Sequence, residues 1–421
     1  MKNFGAFKPL QMVVAFVLVV GVLSVFTYQK IQLSLGSYLK KESSLVFTKD
    51  QVAEAMANTA MNRQLPSELD FQRRNSQSIR LQVNYTVDLK LQKTMEELFR
   101  SYSPDYGAFV ALDAETGKVL SMVSYSRAKL TKDHLALRAS FPSASVFKVV
   151  TAAAALESEK IGPDTVIPFN GRSHTLYRGQ ILKSDITRWT HFITFKEAFA
   201  KSINTVFGKV GAFTVGSTGM RLYADRFGFN GKISADMPIQ EGKALIPTDP
   251  WGLAEASSGF TTENTMSPLQ GALIAAAVAN DGVMMEPFVV QSMYKEDGSL
   301  VYLGEQKVAR IAMKSSTAHE IRTLMKETVL RGTSKNSFRG FFRSKLAFVD
   351  VGGKTGSLTG YDPKGKYDWF VGFADSKNHK IAIAALTIHE KEWRVKSSYL
   401  ARRAIESYYK EAVDLKNVAQ R

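Results

Sequence analysis

The sequence predicts an α+β fold: a five-stranded sheet flanked by helices, with one N-terminal transmembrane helix. Two β-prone runs form a hairpin early in the chain, three more strand-like runs cluster near its end, and the long stretch between them reads mainly as helices. Strands at both ends with helices between them join into one sheet covered by helices.

Taken in order, the elements begin with Met12 to Phe26, where every residue is apolar or glycine except Ser24. As a helix, residues 9–28 would span about 30 Å, the thickness of a bilayer core. Lys2 and Lys8 also suit the basic start of a cleaved leader, but Leu23-Ser24-Val25-Phe26-Thr27 offers no small-x-small cleavage site. The segment is therefore expected to stay as an anchor. Residues 1–8 then form a cytoplasmic tail and residues 29–79 a juxtamembrane stalk, with a short helix from Val52 to Met61 and a polar stretch from Asn62 to Ser78. Charge does not orient the anchor, because Lys30, Lys40 and Lys41 balance Lys2 and Lys8.

The hairpin follows: runs from Gly107 to Leu112 and from Lys118 to Val123 flank the turn Asp113-Ala114-Glu115-Thr116-Gly117. Val149 to Leu156 is Ala-rich and almost wholly apolar, a buried helix. Ser267-Pro268 supply a cap and a first-turn proline for a helix from Leu269 to Ala279, which Asp281-Gly282 ends. Three late strands, Val351 to Leu358, Asp368 to Ala374 and Lys380 to Ile388, are bounded by turns such as Asp362-Pro363-Lys364-Gly365. A last helix from Ser398 to Ala412 puts Leu400, Ala404, Ile405, Tyr408 and Ala412 on one face and leaves residues 413–421 as a tail.

With 421 residues, 45% of them hydrophobic, the chain has enough apolar material for a large core. It holds no cysteine, which excludes disulfides, thiolate metal sites and Cys nucleophiles. The formal charge of +16 invites a polyanion, but the basic residues are scattered, Arg73-Arg74 and Arg402-Arg403 being only pairs, and no nucleic-acid-binding signature accompanies them. A solvated basic surface near anionic lipids or wall polymers is expected, and no nucleic acid. The histidines show no metal-ligand spacing, so no metal or organic cofactor is implied.

Three short motifs carry chemistry. Ser145-Val146-Phe147-Lys148 has the form S-x-x-K, which at helical spacing puts a hydroxyl and an amine one turn apart on one face. A serine hydroxyl needs a group to take its proton, and a lysine of lowered pKa can serve. Ser37 to Lys40 and Ser292 to Lys295 also fit the pattern. What distinguishes Ser145 is its place ahead of a buried helix, where its own N–H lies in the unpaired first turn and can stabilise an oxyanion. Ser202-Ile203-Asn204 has the form S-x-N at the end of a helical run from Phe195 to Lys201, and Ser334-Lys335-Asn336 fits as well. Lys354-Thr355-Gly356, with Ser357 after it, lies in a predicted strand behind Gly352-Gly353, where small residues let a ligand backbone approach. A phosphate loop is excluded there, because its first glycine would have to stand at Phe348 and a strand follows instead of a helix.

S-x-x-K, S-x-N and K-T-G in this order make the chain resemble the transpeptidase domain of penicillin-binding proteins. The likeness extends through Tyr85 to Gln92, Val110 to Val123, Ala198 to Asn204, Met266 to Gln270, Gly353 to Ser357 and Trp369 to Gly372, covering residues 80–412. It implies one antiparallel five-stranded sheet flanked by helices, and a D,D-transpeptidase that cross-links peptidoglycan stem peptides and is acylated by β-lactams. It implies Ser145 as nucleophile, Lys148 as general base, Ser202 as proton relay and Asn204 as orienting group. Lys354 and Thr355 would bind the terminal carboxylate beside Gly356, and the backbone N–H groups of Ser145 and Ser357 would form the oxyanion hole. Ile203 stands where the family has aspartate. Only about fifty residues separate anchor and domain, so glycan polymerisation is expected from a separate glycosyltransferase partner. Stem peptides lie outside the cytoplasmic membrane, which places the domain on that side. A D,D-carboxypeptidase, a β-lactamase and a non-catalytic sensor or scaffold are the alternatives; no E-x-x-L-N-like element follows Ser202, and the intact Ser145, Lys148 and Lys354 speak against a dead site.

Overall fold

The protein is described by a computed structural model over residues 47–57, 65–72, 78–128, 134–183, 185–376 and 379–419. The anchor expected at residues 9–28, the tail ahead of it and the first part of the stalk lie outside the described residues. Among the described residues no helix is long and apolar enough to cross a membrane.

The described chain opens with α1 (Lys49–Ala57), β1 (Glu68–Gln72), β2 (Ser78–Tyr85) and α2 (Leu89–Tyr102), then the hairpin β3 (Tyr106–Asp113) and β4 (Val119–Ser126). A mainly helical stretch follows. It holds β5 (Phe141–Pro142), α3 (Lys148–Glu157), β6 (Val166–Phe169), α4 (Arg178–Leu182), β7 (His191–Thr194), α5 (Phe195–Ala200), α6 (Asn204–Lys209), α7 (Gly216–Arg226), α8 (Pro250–Ser258), β8 (Thr265–Met266) and α9 (Pro268–Ala279). Next come β9 (Val283–Met285), β10 (Val290–Tyr294), β11 (Leu300–Leu303), β12 (Val308–Ile311) and α10 (Ser315–Leu330). The chain closes with β13 (Asp350–Tyr361), β14 (Lys364–Asp375), β15 (Lys380–His389) and α11 (Ser397–Ala419).

The predicted sheet is present, antiparallel throughout, in the order β13-β14-β15-β3-β4. Its middle strands are apolar on both faces and alternate between two cores. Phe370, Ile381, Ile383 and Ala385 pack with Leu91, Met95 and Phe99 of α2 and Leu400, Ala404 and Ile405 of α11. Trp369, Val371, Ala382 and Ala384 face the other core, which contains α9. Alanines dominate β15 on that side because α9 lies close: a Cβ on Gly271 would stand 3.1 Å from Val371 and 3.3 Å from Ala384. α9 is buried along its whole length, and the Ser267 side chain caps it by accepting from the Gln270 N–H at 3.0 Å, with Pro268 in its first turn.

Two boundaries differ from expectation. Within the segment read as a stalk, α1 and β1 fold into the body: β1 pairs with β2 in a second sheet, β1-β2-β10-β11, and Val52, Met56, Leu69 and Phe71 join the main core. Leu69 and Phe71 are an inward pair on a five-residue strand, too short a pattern to stand out among polar neighbours. At the other end α11 continues to Ala419, so most of the segment read as a C-terminal tail is helical. β13 is an edge strand, and both α10 and the turn Ala144–Phe147 pack against it.

Candidate active site

Ser145 sits on a turn held by neighbours distant in sequence. β5 pairs with β8, the Ser143 N–H donates to the Asn264 carbonyl at 2.7 Å, and the indole N–H of the fully buried Trp369 donates to the Pro142 carbonyl at 2.9 Å. Ala144 has a left-handed φ of +48°, and Ala144–Phe147 form a single 3-10 turn that runs into α3, tighter than the α-helical start expected. Two glycines press on this turn. A Cβ on Gly356 would lie 3.3 Å from the Ser143 carbonyl oxygen, and one on Gly259, where φ is +67°, would lie 1.9 Å from the Ala144 carbonyl oxygen and 3.1 Å from the Ser145 nitrogen. β13 and the end of α8 thus reach the nucleophile's backbone only because they carry no side chain there.

Lys148, at the start of α3, is wholly buried. Its Nζ lies 2.8 Å from Ser145 Oγ, 2.7 Å from Asn204 Oδ1 and 2.5 Å from the Ser258 carbonyl oxygen. The Asn204 amide is oriented by its own Nδ2, which donates to the His174 carbonyl at 2.9 Å, so Oδ1 faces the lysine. Burial lowers the Lys148 pKa well below the ordinary lysine value, and the positive charge of Lys354 lowers it further. The neutral amine has two N–H groups and one lone pair. Asn204 Oδ1 and the Ser258 carbonyl can only accept, so they take the N–H groups and the lone pair is left for the Ser145 hydroxyl. The same two oxygens stabilise the ammonium once the proton has moved.

Lys354, on β13, is equally buried, and its Nζ donates to Ser202 Oγ at 2.9 Å and to the Thr355 carbonyl at 2.8 Å. Burial brings its pKa down to about 7. Among the described residues neither lysine has a carboxylate at salt-bridge distance; Phe207 and Phe199 lie beside them, ring centroids 5.8 and 5.6 Å from Lys148 and Lys354. Ser202 follows α5 with φ +56°, a left-handed conformation that usually falls to glycine and costs a serine about 1 kcal/mol. That strain sits where its hydroxyl meets Lys354. Thr355 Oγ1 shares a hydrogen bond of 2.5 Å with Thr333 Oγ1, and the Thr333 N–H donates to the Ala200 carbonyl at 3.1 Å, tying the end of α5 to β13. Ser357 is exposed on β13 opposite Asp368, with Gly356 beside it facing the turn.

The three motifs therefore converge on one cleft, and the rival matches do not join them. Ser292 lies on strand β10, which removes the helical spacing to Lys295; Ser334 donates to the Thr328 carbonyl at 3.1 Å and closes the turn after α10. Ser37 to Lys40 lies outside the described residues. Sequence reasoning missed the Ser258 carbonyl, Gly259, the His174 carbonyl and Thr333. Three of these act through the backbone or through an absent side chain, which leaves no residue-type signal. Beyond Ser357 the cleft widens to about 650 Å³ between Leu358 and Thr359 of β13, Lys366 of β14, Glu255 and Phe260 at the end of α8, and Trp393.

The chain is similar to known proteins over most of its length. The model of the penicillin binding protein transpeptidase domain matches residues 107–406. The peptidoglycan D,D-transpeptidase PbpA of Mycolicibacterium smegmatis is 28% identical over 319 residues, covering 67% of this chain and 62% of that protein. The chain thus spans less than two thirds of the relative's length. The D,D-transpeptidase domain of a peptidoglycan glycosyltransferase from Eggerthella lenta superposes with a TM-score of 0.65 at 23% identity, covering 82% of this chain and 96% of that one. Penicillin-binding protein A from Mycobacterium tuberculosis, solved as its penicillin G acyl-enzyme complex, gives a TM-score of 0.62 at 25% identity over 77% of this chain and 80% of that one.

Proposed function

As the chain belongs to the penicillin binding protein transpeptidase family, we propose that it is a peptidoglycan D,D-transpeptidase acting through a serine acyl-enzyme, and that β-lactams acylate the same serine. One observation carries this reading: a wholly buried Lys148, its pKa lowered well below the ordinary lysine value, with Nζ 2.8 Å from Ser145 Oγ. Lys148 takes the Ser145 proton as Oγ attacks the carbonyl between the two terminal D-alanines of a stem peptide. The N–H groups of Ser145 and Ser357 receive the oxyanion, the Lys354 ammonium and the Thr355 hydroxyl hold the terminal carboxylate, and Asn204 keeps the base aligned. The proton on Lys148 is relayed through Ser202 to the leaving amine as the C–N bond breaks, D-alanine departs, and Lys148 is neutral again. The amine of a second stem peptide then attacks the ester, its proton returns through Lys148, and Ser145 leaves as the new amide forms. In a β-lactam the leaving amine stays tied to the acyl group by the opened ring. The penicillin G acyl-enzyme of the Mycobacterium tuberculosis relative supports this part of the reading.

Residues 9–28 are proposed to anchor the chain in the cytoplasmic membrane with the catalytic domain outside, and a separate glycosyltransferase to supply the glycan. Substrate chemistry supports this placement, since stem peptides are cross-linked outside the membrane.

Incubating the full-length chain with a fluorescent penicillin should give a stable adduct mapped by peptide mass to Ser145, and none in Ser145→Ala. An adduct that persists in Ser145→Ala overturns the nucleophile, and rapid hydrolytic turnover overturns the transpeptidase in favour of a β-lactamase. A topology reporter that finds the C-terminus in the cytoplasm overturns the location.

A further inference from the structure

Resting on that reading, the direction of the substrate along β13 can be worked out. The terminal carboxylate lies at Lys354 and Thr355 and the scissile carbonyl at Ser357, so the part of the donor peptide preceding the scissile bond runs on past Leu358 and Thr359. It enters the 650 Å³ widening of the cleft. Two opposite charges line that space. Glu255, on the last turns of α8, is partly buried, and Lys366 is exposed on β14, directly across from Thr359 in the sheet register. Among the described residues neither makes a salt bridge, with each other or with a third group, whereas Glu392, next to Trp393, pairs with Arg394 at 3.1 Å, and Asp362, one residue past Tyr361, pairs with Arg138. Burial together with the charge of Asp249 raises the Glu255 pKa, the mark of a carboxylate without a cation to neutralise it. The walls between the two charges combine aromatic rings with the hydroxyls of Thr261, Thr262 and Thr359. Phe260 and Trp393 stand 39% and 41% exposed, and Trp393 is fixed by stacking on the buried His389 ring at 5.3 Å and by Lys396 at 4.2 Å from its centroid.

We infer that this widening is a specificity subsite for a donor side chain that ends in both an ammonium and a carboxylate, with Glu255 reading the ammonium and Lys366 the carboxylate across an aromatic wall. A neutral or singly charged side chain leaves one of the two groups unpaired, and that difference is the selection. The catalytic groups are not hydrogen-bonded to this pair: the partners of Lys148 and Lys354 among the described residues are Ser145, Asn204, Ser258, Ser202 and Thr355.

The test is acylation of the full-length chain by three cephalosporins that share a nucleus and differ in side chain. Cephalosporin C ends in an ammonium and a carboxylate on one carbon, its adipyl analogue keeps the carboxylate without the amine, and the phenylacetyl analogue has a neutral side chain. Glu255→Gln should lower the second-order acylation rate of cephalosporin C about tenfold and leave the other two within about twofold. Lys366→Met should slow both carboxylate-bearing compounds and spare the phenylacetyl one. Equal changes for all three compounds, or no change in any, overturn the subsite. So does an effect of Glu255→Gln on release of the acyl group with acylation unaltered, which would make the carboxylate a hydrolytic group. If the wild-type chain forms no Ser145 adduct with any of the three, the acyl-transfer reading itself falls and the subsite with it.

Discussion

Gly259→Ala tests whether backbone contact positions the nucleophile. The left-handed φ of +67° at Gly259 costs an alanine about 1 kcal/mol. The larger effect is steric. The new Cβ would stand 1.9 Å from the Ala144 carbonyl oxygen, a backbone atom that cannot rotate away, so the contact must open by about 1 Å. The end of α8 is held in place, because the Ser257 carbonyl accepts from Thr151 Oγ1 at 2.7 Å and the Ser258 carbonyl accepts from Lys148. The displacement therefore falls on the Ala144–Ser145 peptide, and a shift of about 1 Å between nucleophile and base costs about 100-fold in rate. The assay is the second-order acylation rate with a fluorescent penicillin, run beside thermal unfolding. We expect acylation about 100-fold slower and an unfolding midpoint lowered by a few degrees. Gly340→Ala is the control: φ there is +82° with nothing within 4 Å of the added Cβ, so it should cost stability and leave acylation unchanged. A folded Gly259→Ala chain acylated at the wild-type rate refutes the claim that this contact sets Ser145.

Asn204→Ala removes an acceptor that directs the Lys148 lone pair, and should slow acylation roughly 10- to 100-fold while destabilising the fold by about 1–3 kcal/mol, read by stopped-flow labelling and urea unfolding. Acylation of carboxylate-bearing penicillins should fall as pH rises through about 7, where Lys354 loses its ammonium; a rate that holds to pH 9 would show that this charge does not bind the carboxylate. Lys354→Met should abolish acylation yet raise the melting temperature at pH 7. The sign follows from linkage: the folded chain sheds the Lys354 proton near 7 while the unfolded chain keeps it to 10.5, so wild-type stability rises with pH across that window. The methionine gain, on the order of a few kcal/mol at pH 7, should shrink to nothing near pH 10.5. Trp369→Phe leaves the buried Pro142 carbonyl without its donor and should cost about 1–3 kcal/mol in chemical denaturation.

What could be read in the sequence is what depends on side-chain type and local spacing. The S-x-x-K and K-T-G motifs were legible because hydroxyl and amine are chemically distinctive, and β13 to β15 because their apolar runs are bounded by turns. The core of β14 and β15 was legible only as strand; that Phe370 and Trp369 face different helices needs the register. The cap and proline of α9 announced that helix outright. By contrast, the Ser258 carbonyl that completes the Lys148 environment comes from 110 residues away and carries no type information. Thr333 stands in no motif, and its role emerges only when the chain after α10 brings it beside Thr355. The second sheet was missed because β1 and β11 are short and find their partners across the whole chain.

The burial of Lys354, with no carboxylate at salt-bridge distance among the described residues, has a consequence for inhibition. An ammonium held there is completed by an anion that arrives from outside, and on the proposed reading the terminal carboxylate of a stem peptide and that of a penicillin satisfy it alike. Replacing Lys354 by a neutral residue would loosen the drug's hold and strengthen the fold, but it would equally discard the foothold proposed for the natural donor. On that reading, a change that excludes the drug and spares the proposed acyl transfer is expected farther along β13, where shape and charge can still tell one acyl group from another.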